Sequence, residues 1–192
     1  MRHIKLLLIF FVSTSLHSAQ IDSDMWKKLK EGYILAYSDV ESSKELGPEA
    51  QSLDYKIYGL HSKKCSFALK KISRYEKYST FIDFVKKSSY SEESQTVFFD
   101  FSSILLPYDM LLSFKLPRIE QPGIYDFVFE KGFLKGLVGT ITVKDEKSKC
   151  LFIGTAKWIG PNSSIPDTVF EFFSKNLGKA AMERIFRFSS KL

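Results

Sequence analysis

The chain closes with the stretch PDTVFEFFSKNLGKAAMERIFRF, residues 166–188. Its apolar side chains recur at spacings of three and four residues, which is the period of one face of an α-helix. Pro166 and Asp167 are both favoured in the first turn of a helix. We therefore predict one long amphipathic helix that crosses a whole sheet. Its apolar stripe consists of Phe170, Phe173, Leu177, Ala181, Ile185 and Phe188.

Gly178 lies inside this stripe, where glycine costs about 1 kcal/mol relative to alanine. Its missing side chain would let a strand or a ligand approach the helix closely. The alternative is a defect that the helix tolerates. The sequence leaves both interpretations open.

Residues 84–158 carry the pattern of a sheet. Apolar and polar residues alternate with a period of two through most of this segment. Turn sequences such as Gln121-Pro-Gly123 and Lys131-Gly132 separate five or six such runs, and no long helical pattern interrupts them. Connections of hairpin length predict a meandering antiparallel sheet.

A shorter run, Tyr55-Lys-Ile-Tyr-Gly-Leu60, predicts one more strand, and a basic stretch follows it. Ser62 is a favoured N-cap for a helix over residues 63–72, and a second short helix is predicted over residues 74–81. Their basic residues suit either a surface for anionic lipid headgroups or a solvated helix face. Against one acid, Glu76, these helices carry Lys63, Lys64, Lys70, Lys71, Arg74 and Lys77.

Aromatic residues are abundant and fall on one face of the predicted strands. Phe, Tyr and Trp make up 15% of the chain, which is enough for either a solid core or the wall of an apolar cavity. Asp100 and Asp126 fall on the opposite alternation class, which favours an outward, solvated position. The candidate cavity residues are Phe99, Phe101, Met110, Leu112, Phe114, Tyr125, Phe127 and Phe129 on the strands, with Phe173 and Leu177 on the last helix.

The first nineteen residues have the layout of a secretory signal. Arg2 and Lys5 precede an apolar core at residues 6–16, and Ala19 supplies a small residue for cleavage. An uncleaved membrane anchor is the alternative. The remainder divides into an N-terminal extension at residues 20–52 and a domain at residues 53–192. We therefore expect an exported protein, periplasmic or extracellular.

Charge and composition exclude several classes of function. Removing Arg2 and Lys5 with the signal lowers the net charge from +6 to +4, far below the dense basic patches of nucleic-acid-binding proteins. Only His61 survives signal removal, and two cysteines cannot form a four-ligand zinc site. The motifs of hydrolases, nucleotide-binding loops and zinc proteases are absent. We predict no catalytic residue, no metal, no cofactor and no nucleic acid.

The order of these patterns resembles the helix-grip superfamily. Its members are START lipid-transfer domains, the birch-pollen-allergen family, and the polyketide cyclase and coenzyme-Q-binding-like (SRPBCC) proteins. Residues 71–81, KISRYEKYSTF, resemble the segment that precedes the family's second strand, although Ser73 stands where an acid is common. Leu106-Pro-Tyr-Asp109 resembles its leucine-proline-aromatic step, and residues 26–32 resemble the lead-in of secreted bacterial members.

The resemblance implies an α+β helix-grip fold. A curved antiparallel sheet of about seven strands would wrap a long C-terminal helix, with two short helices after the first strand. In that fold the first and last strands are antiparallel neighbours, which would place Cys65 beside Cys150. We predict a Cys65–Cys150 disulfide, as an exported protein permits. Two buried free thiols are the alternative.

Three classes of function stay open. The first is a monomeric, non-catalytic carrier of a hydrophobic small molecule such as a lipid or quinone, held between the sheet and the last helix. The second is an enzyme of the cyclase or hydratase kind, which the resemblance also implies. The third is a scaffold that binds a protein partner through the N-terminal extension. The scarcity of histidines and catalytic motifs favours the carrier.

Overall fold

The computed structural model describes residues 21–42, 50–102 and 109–191. These ranges contain eight strands, three α-helices and one 3₁₀ helix, Tyr75–Thr80. The α-helices are α1 (Ser23–Lys30), α2 (Cys65–Ile72) and α3 (Asp167–Ser190). The strands are β1 (Leu35–Ser42), β2 (Ala50–His61), β3 (Val85–Ser91), β4 (Thr96–Phe101), β5 (Met110–Lys115), β6 (Gly123–Lys131), β7 (Val138–Glu146) and β8 (Lys149–Pro161).

The strands form one curved antiparallel sheet in the order β1-β2-β8-β7-β6-β5-β4-β3. From β3 to β8 each strand pairs with the next along the chain, as the hairpin-length connections predict. β2 pairs with β8, so that Leu60 lies opposite Leu151. This is the predicted helix-grip architecture, with α3 packed on the inner face of the sheet.

The sheet begins before residue 53, where we placed the domain boundary. Within the predicted extension, β1 pairs along its whole length with β2 and adds an eighth strand to the seven expected. Helix α1, capped by the Asp22 side chain on Met25 N at 2.8 Å, buries Leu29 against β2 and β8. The two elements join the fold through separate apolar clusters, because Val40 of β1 packs with Leu53 and Phe170, whereas Leu29 of α1 packs in the other cluster, against β2 and β8.

Helix α2 begins later than predicted. Its N-cap is Lys64 rather than Ser62, and no side chain caps it. The Ser62 hydroxyl instead lies 3.4 Å from the Ser190 hydroxyl near the end of α3. The second predicted helix is a 3₁₀ helix. Both helices are therefore shorter than predicted, but each lies within its predicted range.

The predicted disulfide is confirmed. Cys65, the first residue of α2, bonds Cys150 of β8 with an S–S distance of 1.97 Å. Both residues are fully buried. Cys150 lies opposite His61 in the β2–β8 pair, so the bond ties α2 to the sheet just after β2 ends.

The start of α3 is held to β1 and β2 by hydrogen bonds. The Asp167 carboxylate accepts from Gln51 Nε2 at 2.7 Å and from Ser42 Oγ at 2.7 Å and N at 2.9 Å. The bonds from Gln51 and then Ser42 hold the pKa of Asp167 below its ordinary value. Gln51 is fully buried and also donates to the Ile165 carbonyl at 3.1 Å.

His61 ties the end of α3 to β2 from inside the protein. It is fully buried, and its Nδ1 accepts a hydrogen bond from Lys63 N at 3.1 Å. The neutral ring therefore carries its proton on Nε2, which lies 3.1 Å from the hydroxyls of both Ser189 and Ser190. Burial lowers the pKa of His61, because the charged imidazolium loses its hydration inside the protein.

Stability is expected to fall as the pH drops below about 6.5, the ordinary pKa of histidine. With a lower folded-state pKa, His61 takes up protons in the unfolded state first, so acid favours unfolding until the folded imidazole also protonates. We would compare urea midpoints from about pH 8 to pH 5 in the wild type and His61→Gln, which cannot titrate. The difference between the two profiles should slope across this window. Urea midpoints that change in parallel with pH in the two proteins would contradict a lowered pKa of His61 in the folded state.

Candidate ligand-binding site

The inner face of the sheet and helix α3 enclose two apolar chambers of about 290 Å³ each. The first lies against the N-terminal half of α3. Its wall comes from β4, β5, β6 and the turn between β6 and β7, and it includes Phe101, Met110, Leu112, Phe129, Phe133, Phe170, Phe173 and Leu177.

The second chamber lies beneath the basic segment, which we define as α2 and the 3₁₀ helix. The inward side chains of that segment, Ile72, Tyr75 and Tyr78, form one wall. The C-terminal half of α3 forms another with Met182, Ile185 and Phe186. The sheet completes it with residues that include Phe99, Phe114, Ile141 and Phe152.

The chambers meet at a waist whose residues line both. It consists of Tyr55 on β2, Phe127 on β6, Ala156 on β8, and Gly178 and Ala181 on α3. Small residues on α3 make the junction possible. The two chambers are therefore adjacent along α3, and the Tyr55 side chain, which reaches from β2 to Gly178, lies between them.

Aromatic rings make up much of the wall and support one another. Phe114 stacks on Phe129 with ring centroids 4.7 Å apart, and Tyr78 stacks on Phe99 at 5.6 Å. Aromatic side chains are large and have few rotatable bonds, so rings that brace each other do not readily collapse into a neighbouring space. This explains how a chain so rich in phenylalanine can keep an open cavity.

Nine of the ten candidate cavity residues line these chambers. Phe101, Met110, Leu112, Phe129, Phe173 and Leu177 line the first, Phe99 and Phe114 line the second, and Phe127 lies at the waist. Tyr125 lines neither, which corrects its place in the candidate set. Its hydroxyl donates to the Gln121 carbonyl at 2.7 Å, so it closes the turn before β6.

The lining carries five polar side chains, and four of them are satisfied. Tyr75 Oη donates to the Pro117 carbonyl at 3.1 Å and Tyr78 Oη to the Ile72 carbonyl at 2.7 Å. Ser174 Oγ donates to the Glu171 carbonyl at 3.0 Å, and Thr155 Oγ1 lies 2.9 Å from Thr140 Oγ1. The fifth is Tyr55.

The Tyr55 hydroxyl is buried and has no hydrogen-bond partner among the described residues. Burial raises its pKa, so it remains protonated. No Asp, Glu, His, Lys or Arg lines either chamber in the ranges that the structure covers. The described wall of the site therefore consists of apolar surface and one hydroxyl, that of Tyr55, without a hydrogen-bond partner in these ranges.

Sequence reasoning missed the contribution of β2 to this site. Leu53, Tyr55 and Ile57 alternate along β2 and all face the chambers. The period-two alternation of these three residues is visible in the sequence, and it is the signal that could have identified them. Gly178 was noticed, and the structure supports the first of its two interpretations, because a Cβ there would overlap Tyr55 Oη.

The structure also places the two carboxylates that interrupt the aromatic strands. Asp126 is exposed on the outer face of the sheet, and Asp100 pairs across β4–β5 with the exposed Leu111. None of the helices in the described ranges is long and apolar enough to cross a membrane. The predicted signal at residues 1–19 lies outside the described residues.

The chain matches no protein-family model and no curated protein. Its fold nevertheless matches solved structures. An aromatase/cyclase, Zhui, from a Streptomyces species aligns with a TM-score of 0.60 at 7% identity over 72% of this chain and 94% of that one. A START superfamily protein from Mycobacterium smegmatis aligns with a TM-score of 0.56 at 6% identity over 71% and 97%.

A third match is the ginseng major latex-like protein 151 from Panax ginseng, with a TM-score of 0.54 at 14% identity over 73% of this chain and 99% of that one. The chain therefore has the helix-grip fold, and the resemblance inferred from its sequence is confirmed at that level. At these identities the matches show the fold alone.

Proposed function

We propose that this protein is an exported, non-catalytic carrier that binds a hydrophobic small molecule, a lipid, quinone or similar compound, in the two adjacent chambers. The observation that carries the proposal is a pair of adjacent apolar chambers with no charged residue in their described walls. Burying apolar ligand surface there contributes about 25 cal/mol per Å². Binding would rest on that burial.

The lining favours a carrier over a cyclase or hydratase. General acid–base catalysis needs a titratable group within reach of the substrate. The two carboxylates that interrupt the aromatic strands, Asp100 and Asp126, lie on the outer face, away from both chambers. The tyrosines that do line the chambers have raised pKa values, which makes them poor proton donors near neutral pH.

Titration with diphenylhexatriene, a hydrocarbon that fluoresces only in apolar surroundings, tests this function. We expect saturable binding with one probe per protein. The enclosed chambers exclude water from the probe, so its emission should rise sharply. Emission that grows linearly without saturation, or that does not change, would contradict the proposal.

We propose that the basic segment places the second chamber next to an anionic membrane surface. Its inward side forms a chamber wall, while Lys70, Arg74 and Lys77 are exposed on its outer side. Its only acid, Glu76, is already paired with Arg118 at 3.3 Å. A lipid headgroup layer would thus meet uncompensated positive charge directly above the ligand space.

Charge reversal of the basic segment should abolish sedimentation with anionic vesicles. We expect the triple variant Lys70→Glu, Arg74→Glu, Lys77→Glu to remain in the supernatant with phosphatidylglycerol vesicles, because each basic residue near the surface contributes about 1 kcal/mol.

The matched control reverses three exposed lysines elsewhere, Lys131, Lys135 and Lys175. Lys131 ends β6 and Lys135 lies in the turn that follows it, at the end of the sheet away from the disulfide. This control should still sediment. Equal loss in both variants would show that net charge alone directs binding, and would contradict a specific surface.

The buried disulfide supports the export that the proposal includes, because disulfides persist in oxidising compartments. N-terminal sequencing of the secreted or periplasmic protein should begin at Gln20. Light scattering should give the mass of a monomer.

A further inference from the structure

We propose that the ligand carries one neutral polar oxygen near its middle, and that the Tyr55 hydroxyl binds this oxygen at the waist between the chambers. The inference rests on the proposed carrier function and narrows its ligand class. It predicts that such a molecule binds more tightly than a pure hydrocarbon of the same size, and more tightly than an amphiphile whose only polar group is a charged head at one end.

The first argument is that Tyr55 differs from every other polar side chain of the lining. The hydroxyls of Tyr75, Tyr78, Ser174 and Thr155 all have partners within the protein. Tyr55 Oη has less than 1 Å² of accessible surface and no partner in the described ranges. A buried, unsatisfied donor costs free energy that phenylalanine at the same position would avoid. The unpaired hydroxyl therefore lowers the stability of the free protein. A hydrogen-bond acceptor on a ligand would remove this cost.

The second argument is its position. Tyr55 borders both chambers, so apolar space lies on either side of its side chain. A molecule that fills both chambers passes the hydroxyl at its middle, not at its end. The matching polar atom must therefore lie between two apolar parts.

The third argument concerns charge. No charged side chain lines the described walls, so a buried carboxylate or ammonium would have no counter-ion there. A neutral carbonyl, ester or hydroxyl oxygen meets no such penalty and accepts the hydrogen that Tyr55 offers.

Gly178 supplies the room for this contact. In the present conformation the Tyr55 hydroxyl lies against the α3 backbone at Gly178, where a Cβ would overlap it. A ligand oxygen reaches the hydroxyl through a small rotation of the Tyr55 ring away from α3. That rotation breaks no hydrogen bond within the described residues.

Three probes test the inference through displacement of diphenylhexatriene. Bibenzyl is a hydrocarbon with two phenyl rings, deoxybenzoin adds one carbonyl between the rings, and para-acetylbiphenyl is an isomer of deoxybenzoin with its carbonyl at one end. We expect the wild type to bind deoxybenzoin about tenfold more tightly than either other probe, as one hydrogen bond allows.

The variants are Tyr55→Phe and its matched control Tyr125→Phe, which removes a hydrogen-bonded hydroxyl from a tyrosine that lines neither chamber. Tyr55→Phe should bind all three probes alike and should melt a few degrees higher than the wild type, by about 2–4 °C. Tyr125→Phe should keep the preference for deoxybenzoin and should not melt higher than the wild type.

The outcomes distinguish a failure of this inference from a failure of the proposed carrier function. If all three probes bind equally to the wild type, or if the preference survives in Tyr55→Phe, the inference is overturned while the carrier function stands. A lower melting temperature in Tyr55→Phe would likewise overturn it, because the hydroxyl would then have a partner in the free protein. If no probe binds, the carrier function fails and the inference falls with it.

Discussion

Removing the disulfide is expected to lower the free energy of unfolding by about 4 kcal/mol in the variant Cys65→Ala/Cys150→Ala. The bond closes a loop with a sequence separation of 85 residues, which restricts the unfolded chain strongly. Both cysteines are fully buried, so the substitution also removes packed sulfur atoms from the core. Guanidinium denaturation of the two proteins, without reductant, measures the difference.

Reductant provides the control for this prediction. It should lower the midpoint of the wild type once the chain has been unfolded and refolded with the thiols reduced, and it should not change the midpoint of the double variant. A wild type that keeps its midpoint under both treatments would contradict the disulfide.

The second large effect is expected at the waist. Ala181 lines both chambers on α3, and Ala181→Phe should weaken diphenylhexatriene binding at least about a hundredfold. A phenyl ring at this position occupies the junction and excludes an extended ligand from both sides. Because the ring enters existing space, we expect the cost in stability to remain within about 1–3 kcal/mol.

The adjacent residue gives a matched control. Ala180 is in the same helix and lines neither chamber, so Ala180→Phe adds the same group to the chain without entering the cavity. It should bind the probe like the wild type. Loss of binding in both variants, or in neither, would argue against a ligand space at the waist, provided that thermal melting shows both to be folded.

Much of the fold could be predicted because its elements carry local signals. Strand alternation along residues 97–129 identifies the inward residues of β4, β5 and β6, and the stripe on residues 170–188 identifies α3. The resemblance then supplied what local patterns cannot, namely that β2 and β8 are neighbours. The Cys65–Cys150 bond could be predicted only because β2 and β8 are adjacent. The residues around each cysteine carry no signal for the pairing.

The rest depended on tertiary packing. Strand β1 lies in the segment predicted as an N-terminal extension, and its pairing with β2 cannot be predicted from its own local pattern. Helix α2 begins at the disulfide-bonded Cys65, three residues after the serine that resembles a cap. The Tyr55 hydroxyl has no hydrogen-bond partner among the residues that the structure describes, and such an absence depends on tertiary neighbours that a local sequence pattern does not contain.

The most direct test of the central claim is a native mass spectrum of the protein purified from the exported fraction of the organism that makes it. The account predicts a species heavier than the mature chain by the mass of one small molecule, which organic solvent extracts as a neutral, mostly apolar compound. A spectrum that shows only the bare chain, from a preparation in which diphenylhexatriene also fails to bind, would contradict it.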